Sequence, residues 1–418
     1  MRKLLLIALL LVAFPAAAAL RSVLQVTTGN AALKVDLNFA ANTAFGCSTL
    51  TSCLTVTRTT AETCTDAAGN ITYQTSGNAC ITSAGLQVWP AATNLQTQSG
   101  LASGWTPGNA TASITDTPPD GVANSATILT DNSTSGAHSI SGPVVSWTNS
   151  TTYSVSCFIK AGTLGFAQLF FGNAYQSGNG YVNINLSTGA TSVGGVGVTA
   201  DATADAYANG WRRLRTRFVA SATASGAINV GMATSIGATR NPSYVGTGQT
   251  ISVWGCQVEA SALMTPYIPT TTASVTRNND SIAVASASLL ETTLNAATGT
   301  VVANTQIIST LANGATTVID SNGTVFLGKD ASSKCTTAVG AALTTTTTAT
   351  WTNSTDCGLA WDASGGTLQL NGGTKATDAT ARTPVTPFFL GSVSGSSAQL
   401  YGNILRLRAY NDKEVTPQ

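Results

Sequence analysis

Apolar and polar positions along this chain alternate with a period of two far more often than they recur every three or four residues. "TYSVSCFIKAG" (152–162), "GYVNINLSTGATSVG" (180–194), "QTISVWGCQVEA" (249–260) and "GTLQLNGG" (366–373) show the pattern. Each is a run rich in Val, Ile, Thr or aromatic residues, closed by Gly, Asn, Asp or Ser. Such runs read as strands and their boundaries as turns. Many short strands recurring every 8–12 residues or so predict sandwiches or jelly rolls. Helix is expected only in two short patches, near 286–294 and 411–417. The expected fold class is therefore all-β.

One segment breaks the alternation. "MRK", then "LLLIALLLVAF", then "PAAAAL" is a basic start, an apolar run and a breaker with small residues. That order predicts a secretory signal over residues 1–19, with cleavage at Ala18 or Ala19. The apolar run is too short for a membrane anchor, and no later stretch is long and apolar enough to span a bilayer. After signal removal no membrane association is expected.

Composition narrows the function classes. Only 9% of the 418 residues are charged and the net charge is +1, against roughly 25% charged in an ordinary soluble domain. No global field draws the chain to nucleic acid or to an anionic membrane. The one local exception is "NGWRRLRTRF" (209–218), with four arginines in ten residues.

The eight cysteines, Cys47, Cys53, Cys64, Cys80, Cys157, Cys256, Cys335 and Cys357, all follow the signal. An even count in an exported chain points to disulfides. Pairing sequence neighbours gives Cys47–Cys53, Cys64–Cys80 and Cys335–Cys357, which leaves Cys157 with Cys256. The alternative for the last two is a pair of buried thiols in a β core. With no CxxC and a single histidine, His138, a zinc site is not expected.

Composition divides the mature chain into a small Cys- and Thr-rich module (20–88), a dense strand block (89–277) and a second strand block (278–418) after the polar break "TTTASVTRNND". Residues 101–277 resemble a jelly-roll module of the carbohydrate-binding type, common in phage tail and virion proteins. The resemblance rests on "WTPGNATASITDTPPDGVANSATILTDN", "YSVSCFIKAG", "NGWRRLRTRF" and "ISVWGCQVEASALMTPYIPTTTASVTRNND", in that order. Upstream, Arg58-Thr59-Thr60-Ala61 and Ala92-Thr93-Asn94-Leu95 resemble looser forms of the ends of a leader that often precedes this module, here with four extra cysteines. Residues 297–414 resemble a concanavalin A-like, laminin-G-type sandwich, through "TGTVVANTQI", "LAWDASGGTLQLNGG" and "FFLGSVSGSSAQLYGNILRLRAYNDKEVTP". The resemblance implies architecture and leaves the chemistry open, because one superfold hosts many functions.

A glycosidase would need two carboxylates facing across a sugar. The pairs Asp116/Asp120, Asp201/Asp205 and Asp412/Glu414 are the candidates, and all read as turn or chain-end residues. His138 sits in "STSGAHSISG" without a nucleophile elbow and is expected to be exposed on a polar loop. No phosphate-binding glycine loop occurs. "DATADAY" (201–207) could hold a structural Ca²⁺ through oxygen ligands, and no other cofactor is expected. Tyr175 and Tyr181 are candidate sugar contacts, and the Asn-rich "GNGYVNINLSTG" suits contact with a sugar as well as a plain exposed strand.

Strand alternation puts Trp211, Arg213, Arg215 and Arg217 on one side and Arg212, Leu214, Thr216 and Phe218 on the other. Leu214 and Phe218 mark the core side, so the first set is expected to face solvent. There Arg213, Arg215 and Arg217 either grip an acidic glycan or are balanced internally by Asp201, Asp205 or Glu259. The expectation is a non-catalytic, glycan-binding structural protein of phage or prophage tail-fibre or virion-surface type. Its partner would be a cell-surface polysaccharide and its assembly a homo-oligomer. The alternatives are a secreted bacterial surface lectin or adhesin and, in a different class, a polysaccharide-degrading enzyme.

Overall fold

The protein is described from a computed structural model. The structure describes residues 33–411 apart from 102, 200, 308–315, 322–323, 331, 333, 340–341, 352–354, 372, 382–383, 385, 392–399 and 401. The expected signal, Asp412, Glu414 and most of the second helical patch lie outside the described residues.

Eight strands build the central sandwich. Ala126–Asp131, Thr250–Glu259, Thr152–Ala161 and Trp211–Val219 lie in that order in one sheet. Ser139–Ser141, Ile228–Ala233, Phe166–Phe171 and Tyr181–Asn185 lie in that order in the other. Followed along the chain, the strands change sheet at every step except from 166–171 to 181–185, which is jelly-roll winding. All neighbours pair antiparallel. Ala110–Asp116 and Thr203–Ala206 extend the first sheet; Thr106–Gly108 and Thr191–Gly194 extend the second.

Alternation explains the core. Val155, Cys157, Ile159, Leu214, Phe218, Ile251 and Val253 from the first sheet meet Leu169, Phe171, Val182, Ile184, Val230 and Met232 from the second, all fully buried. Cys157 and Cys256 are bonded within this core, so the buried-thiol alternative does not hold. The register between their strands shifts at that point. Gly255 makes the shift with φ of +59°, and a Cβ there would sit 2.7 Å from the Phe158 ring, so only glycine fits this bulge.

A second sandwich encloses the other large core. Its nine-stranded sheet runs Thr43–Phe45, Leu33–Asn38, Gly402–Tyr410, Gly299–Ile307, Thr355–Asp362, Gly365–Leu370, Ala376–Asp378, with Cys80–Thr82 and Gly85–Val88 joined beside 402–410. Opposite it, seven strands run Leu54–Val56, Ile282–Val284, Phe388–Leu390, Thr316–Ser321, Thr324–Lys329, Lys334–Val339, Ala342–Thr350. Phe39, Leu37, Leu359, Trp361, Phe388 and Leu407 fill the space between. One short helix, Leu289–Leu294, packs there, within the expected patch. Ser288 caps it by accepting the Glu291 N–H, while Glu291 accepts the Ala287 N–H at 2.6 Å, a variant of the capping box.

The sheets do not follow the segment boundaries read from composition. Residues 33–56 and 80–88 supply strands to the second sandwich, so 20–88 is not a self-contained module. It has too few large apolar residues to close a core alone, and borrows one. The hairpin Glu62–Thr65/Ile71–Gln74 lies apart from both large sheets and packs Ile71 among Phe158, Trp211, Trp254 and Tyr267. In effect the jelly roll is inserted between two halves of the second sandwich. Its entry strand Ala92–Asn94 and exit strand Val275–Arg277 pair with each other. All four expected disulfides are present.

Where the insertion begins and ends, two buried arginines and two buried carboxyl groups meet. Arg58 Nη1 contacts Glu62 Oε1 and lies 2.7 Å from Asp280 Oδ1. Arg277 Nη1 lies 3.1 Å from Glu62 Oε2 and 3.2 Å from Asp280 Oδ2. Backbone groups complete the shell: Arg58 donates to Thr60, Thr75 and Asn78 carbonyls, and Trp89 N–H donates to Asp280. The leader-like Arg58 and the polar break "TRNND" are thus two sides of one clasp.

Candidate functional site

The arginine strand is half as open as its alternation suggests. Leu214, Thr216 and Phe218 face the core side as expected. Trp211 and Arg213 are buried as well, which corrects the expected solvent face. The cause lies past the next strand: residues 260–270 fold back over this end of the sheet. Gln257 and Glu259 pin that tail, Gln257 through Pro266 O and the Ile268 N–H, Glu259 through the Thr265 N–H and hydroxyl. Arg213 then donates to Thr265 O at 2.9 Å and Ser156 Oγ at 3.1 Å, with its guanidinium over the Phe158 ring. Burial raises the Glu259 carboxyl, and Thr265 and Arg213 pull it back. The Trp-Gly-x-Gln-x-Glu motif is therefore architectural.

Arg215 and Arg217 stay at the surface but are already paired, with Asp205 at 2.7 Å and Asp201 at 2.5 Å. The strand Thr203–Ala206 puts Thr203 beside Arg215 and Asp205 beside Arg213, which carries the carboxylates along the arginine row. Asp201 and Asp205 of "DATADAY", which the sequence offers as oxygen ligands for Ca²⁺, are each ion-paired to an arginine. Arg212 spends its donors on the Leu186 and Ser187 carbonyls.

Two further expectations are corrected. Tyr175 is fully buried, stacked on Trp147 with its hydroxyl donating to Ala227 O, and burial pushes that hydroxyl up to about 12; it presents nothing to a ligand. His138 is buried rather than exposed, with its ring nitrogens 2.6 Å from Asn109 O and 3.2 Å from Tyr244 O.

Tyr181 leads to a different surface, the outer face of the sheet that holds 166–171. Strand register lines up one crosswise row over all six strands: Gly194, Tyr181, Phe170, Asn229, Ser141 and Thr106. The adjacent row is Ser192, Asn183, Gln168, Gly231, Ser139 and Gly108. Both are made of aromatic, amide, hydroxyl and glycine positions, because alternation sends Leu169, Val182 and Val230 inward. Tyr181 lies flat on Gly194, where a Cβ would come within 2.1 Å of its ring. Asn229 accepts from the Ser141 hydroxyl at 2.6 Å.

Part of this face is roofed by residues 234–241. Gln168 and Asn183 hold the roof by donating to the carbonyls of Thr239, Ile236 and Ala238, and Gln168 accepts the Asn241 N–H. The roof ends in Arg240, whose guanidinium lies 5.1 Å over the Phe170 ring. Outward Tyr181 and Asn183 were signalled by "GNGYVNINLSTG". Gln168 in "FAQLFFG" carried the same signal, a polar residue at an outward position of an apolar strand. Arg240 had no signal, since it is a lone charge in a loop.

The acidic pairs singled out from sequence that lie among the described residues are engaged within the chain, Asp201 and Asp205 by arginines. Asp116 is bonded to Lys160, Asp120 accepts the Tyr73 hydroxyl, and Glu62 with Asp280 is sealed in the clasp. Burial, and next the Asp280 charge, raise the Glu62 carboxyl to about 8. Glu62 also lies near Cys64 and Cys80, whose sulfurs are bonded to each other and offer no metal a thiolate. No helix among the described residues is long and apolar enough to cross a membrane.

The chain is thus an all-β protein of two antiparallel sandwiches with a polar, aromatic outer face on the first. No known family's sequence pattern matches it, and no curated protein does. Among solved structures it is similar to Trypanosoma rangeli sialidase, at 11% identity and a TM-score of 0.26, over 70% of this chain and 59% of that one. It is also similar to the LG4-5 domains of the mouse laminin α1 chain, at 11% identity and a TM-score of 0.23, over 66% of this chain and 86% of that one. The chain spans about three fifths of the sialidase's length. Likenesses this distant carry no weight for activity.

Proposed function

We propose that the chain is a non-catalytic, glycan-binding structural protein of phage tail-fibre or virion-surface type, and that its jelly roll holds a cell-surface polysaccharide. The carrying observation is the six-strand row on the outer face, in which Tyr181 and Asn229 stay partly exposed while Phe170 is buried beneath Arg240. An aromatic ring offers an apolar plate to a sugar's C–H face, and flanking amides and hydroxyls exchange hydrogen bonds with its hydroxyls. At about 4.8 Å per strand the row runs roughly 24 Å, long enough for an extended chain. Binding rather than hydrolysis is proposed because Asp116, Asp120, Asp201 and Asp205, the described acids singled out from sequence, are each engaged by a partner within the chain.

A secreted bacterial adhesin is the second reading, favoured by four disulfides, which persist in oxidising surroundings. A glycan array run beside a reducing-sugar assay tests the first reading. Binding without turnover, lost in Tyr181→Ala, is expected; turnover lost in Asp201→Asn or Asp205→Asn would establish an enzyme instead.

A further inference from the structure

We infer that the polysaccharide held on this outer face is acidic, and that its anionic group, a carboxylate or a sulfate ester, seats on Arg240. The inference rests on the glycan-binding reading and adds the charge class of the ligand. It follows from how the described arginines are spent. Arg58 and Arg277 are locked in the buried clasp, Arg215 and Arg217 face Asp205 and Asp201, and Arg406 and Arg408 face Asp36 and Asp356. Arg213 is buried, and Arg212 is held by two carbonyls. Arg240 alone among them is partly exposed with a single carbonyl partner, Phe171 O. A guanidinium has five N–H donors, so most of the Arg240 fork is unused, and its Nε is enclosed without a partner.

Among the described residues, the two outer rows and the roof around it supply no counter-charge. The two outer rows hold only Gly, Ser, Thr, Asn, Gln, Phe and Tyr, and the roof 234–241 adds "TSIGATRN" without an acid. The Phe170 ring beneath the guanidinium fixes its plane and removes one side from water, which strengthens a charge-assisted hydrogen bond made on the other. Tyr181 is one strand away in the same row. A sugar stacked on Tyr181 therefore places a substituent of its neighbour over Arg240. The arginines of "NGWRRLRTRF" are the obvious anion site by count, but their charge is already met from within the chain.

The test is an array of neutral, uronate-containing and sulfated oligosaccharides probed with the full chain, its Arg240→Gln and Arg240→Lys variants, and Arg215→Ala/Arg217→Ala. Acidic oligosaccharides should bind at least tenfold more tightly than neutral ones, and Arg240→Gln should bring acidic binding down to the level of neutral-sugar binding. Arg240→Lys, which keeps the charge without the fork, should retain sulfate binding better than uronate binding. The double variant should bind like the parent. Neutral sugars binding as tightly as acidic ones would overturn the charge assignment and leave the glycan-binding reading standing. So would an acidic preference that survives Arg240→Gln or disappears in the double variant. An array with no binder of any class would remove both.

Discussion

The clasp and the arginine strand each bring two arginines to two carboxylates; each clasp arginine reaches both carboxylates and each strand arginine only one, but the larger difference is access to water. In the clasp, Arg58 and Arg277 meet Glu62 and Asp280 with side-chain exposures of 0–1%. On the surface strand, Arg215 and Arg217 meet Asp205 and Asp201 with exposures of 25–50%. Distances are similar. What differs is the cost of losing a partner: water replaces it on the strand and cannot reach it in the clasp. The local sequence points the wrong way, because the run of arginines is conspicuous and the four clasp residues are scattered over more than 200 positions.

The largest effect expected from this contrast is that of Arg277→Ala. It strands Glu62 and Asp280 without one cation and should cost about 3–5 kcal/mol in urea denaturation; a loss below about 1 kcal/mol would mean that water enters the clasp. Next comes the Cys64–Cys80 bond, which ties down the hairpin carrying Glu62 and closes 16 residues. Replacing both cysteines by serine should cost about 3 kcal/mol on the chain-entropy account. Equal stability of the variant and the parent would show that the clasp alone holds the hairpin.

A pH series separates the clusters further. Glu62, raised to about 8 in the folded chain, starts from the ordinary 4.5 when unfolded. Between these values the folded state holds a proton that the unfolded state releases, so this group's contribution falls as pH rises from about 4.5 to 8. In Glu62→Gln that decline should vanish, as read from denaturation midpoints at several pH values; an unchanged slope would assign it to another group. The smallest effect is Arg215→Ala with Arg217→Ala. Each exposed pair is worth about 0–1 kcal/mol and is weakened by salt. A loss of several kcal/mol would show the surface pairs to be structural in the same sense as the clasp.

Local pattern was a good guide wherever partners are near in sequence or one sheet face is apolar. Alternation located the jelly-roll strands, and cysteine neighbours gave three bridges, with the fourth by remainder. Leu214 and Phe218 set the arginine strand's core side correctly. The other side was misjudged because its cover, Thr265 to Tyr267, arrives from 50 residues downstream, and no local period records that. Tyr175 shows the converse: an aromatic beside a glycine turn suits either a sugar or a core, and its stacking on Trp147 decides for the core. Residues 20–88 read as separate for the same reason, since their partners 282–284 and 402–410 lie far along the chain.

That last pairing has a consequence for how the protein is made. Asp36 and Arg406 are 370 residues apart, and the strand Leu33–Asn38 finds its neighbour only when 402–410 has been synthesised. At about 5–20 residues per second, the early strand waits roughly 20–75 s with Val35 and Leu37 uncovered. The jelly roll between them has all its strands long before and can fold as a unit in the interval. Synthesis order thus favours a finished insert flanked by an open host, in which every ribosome that stalls before residue 402 releases an unmatched sheet edge of the kind that recruits other chains.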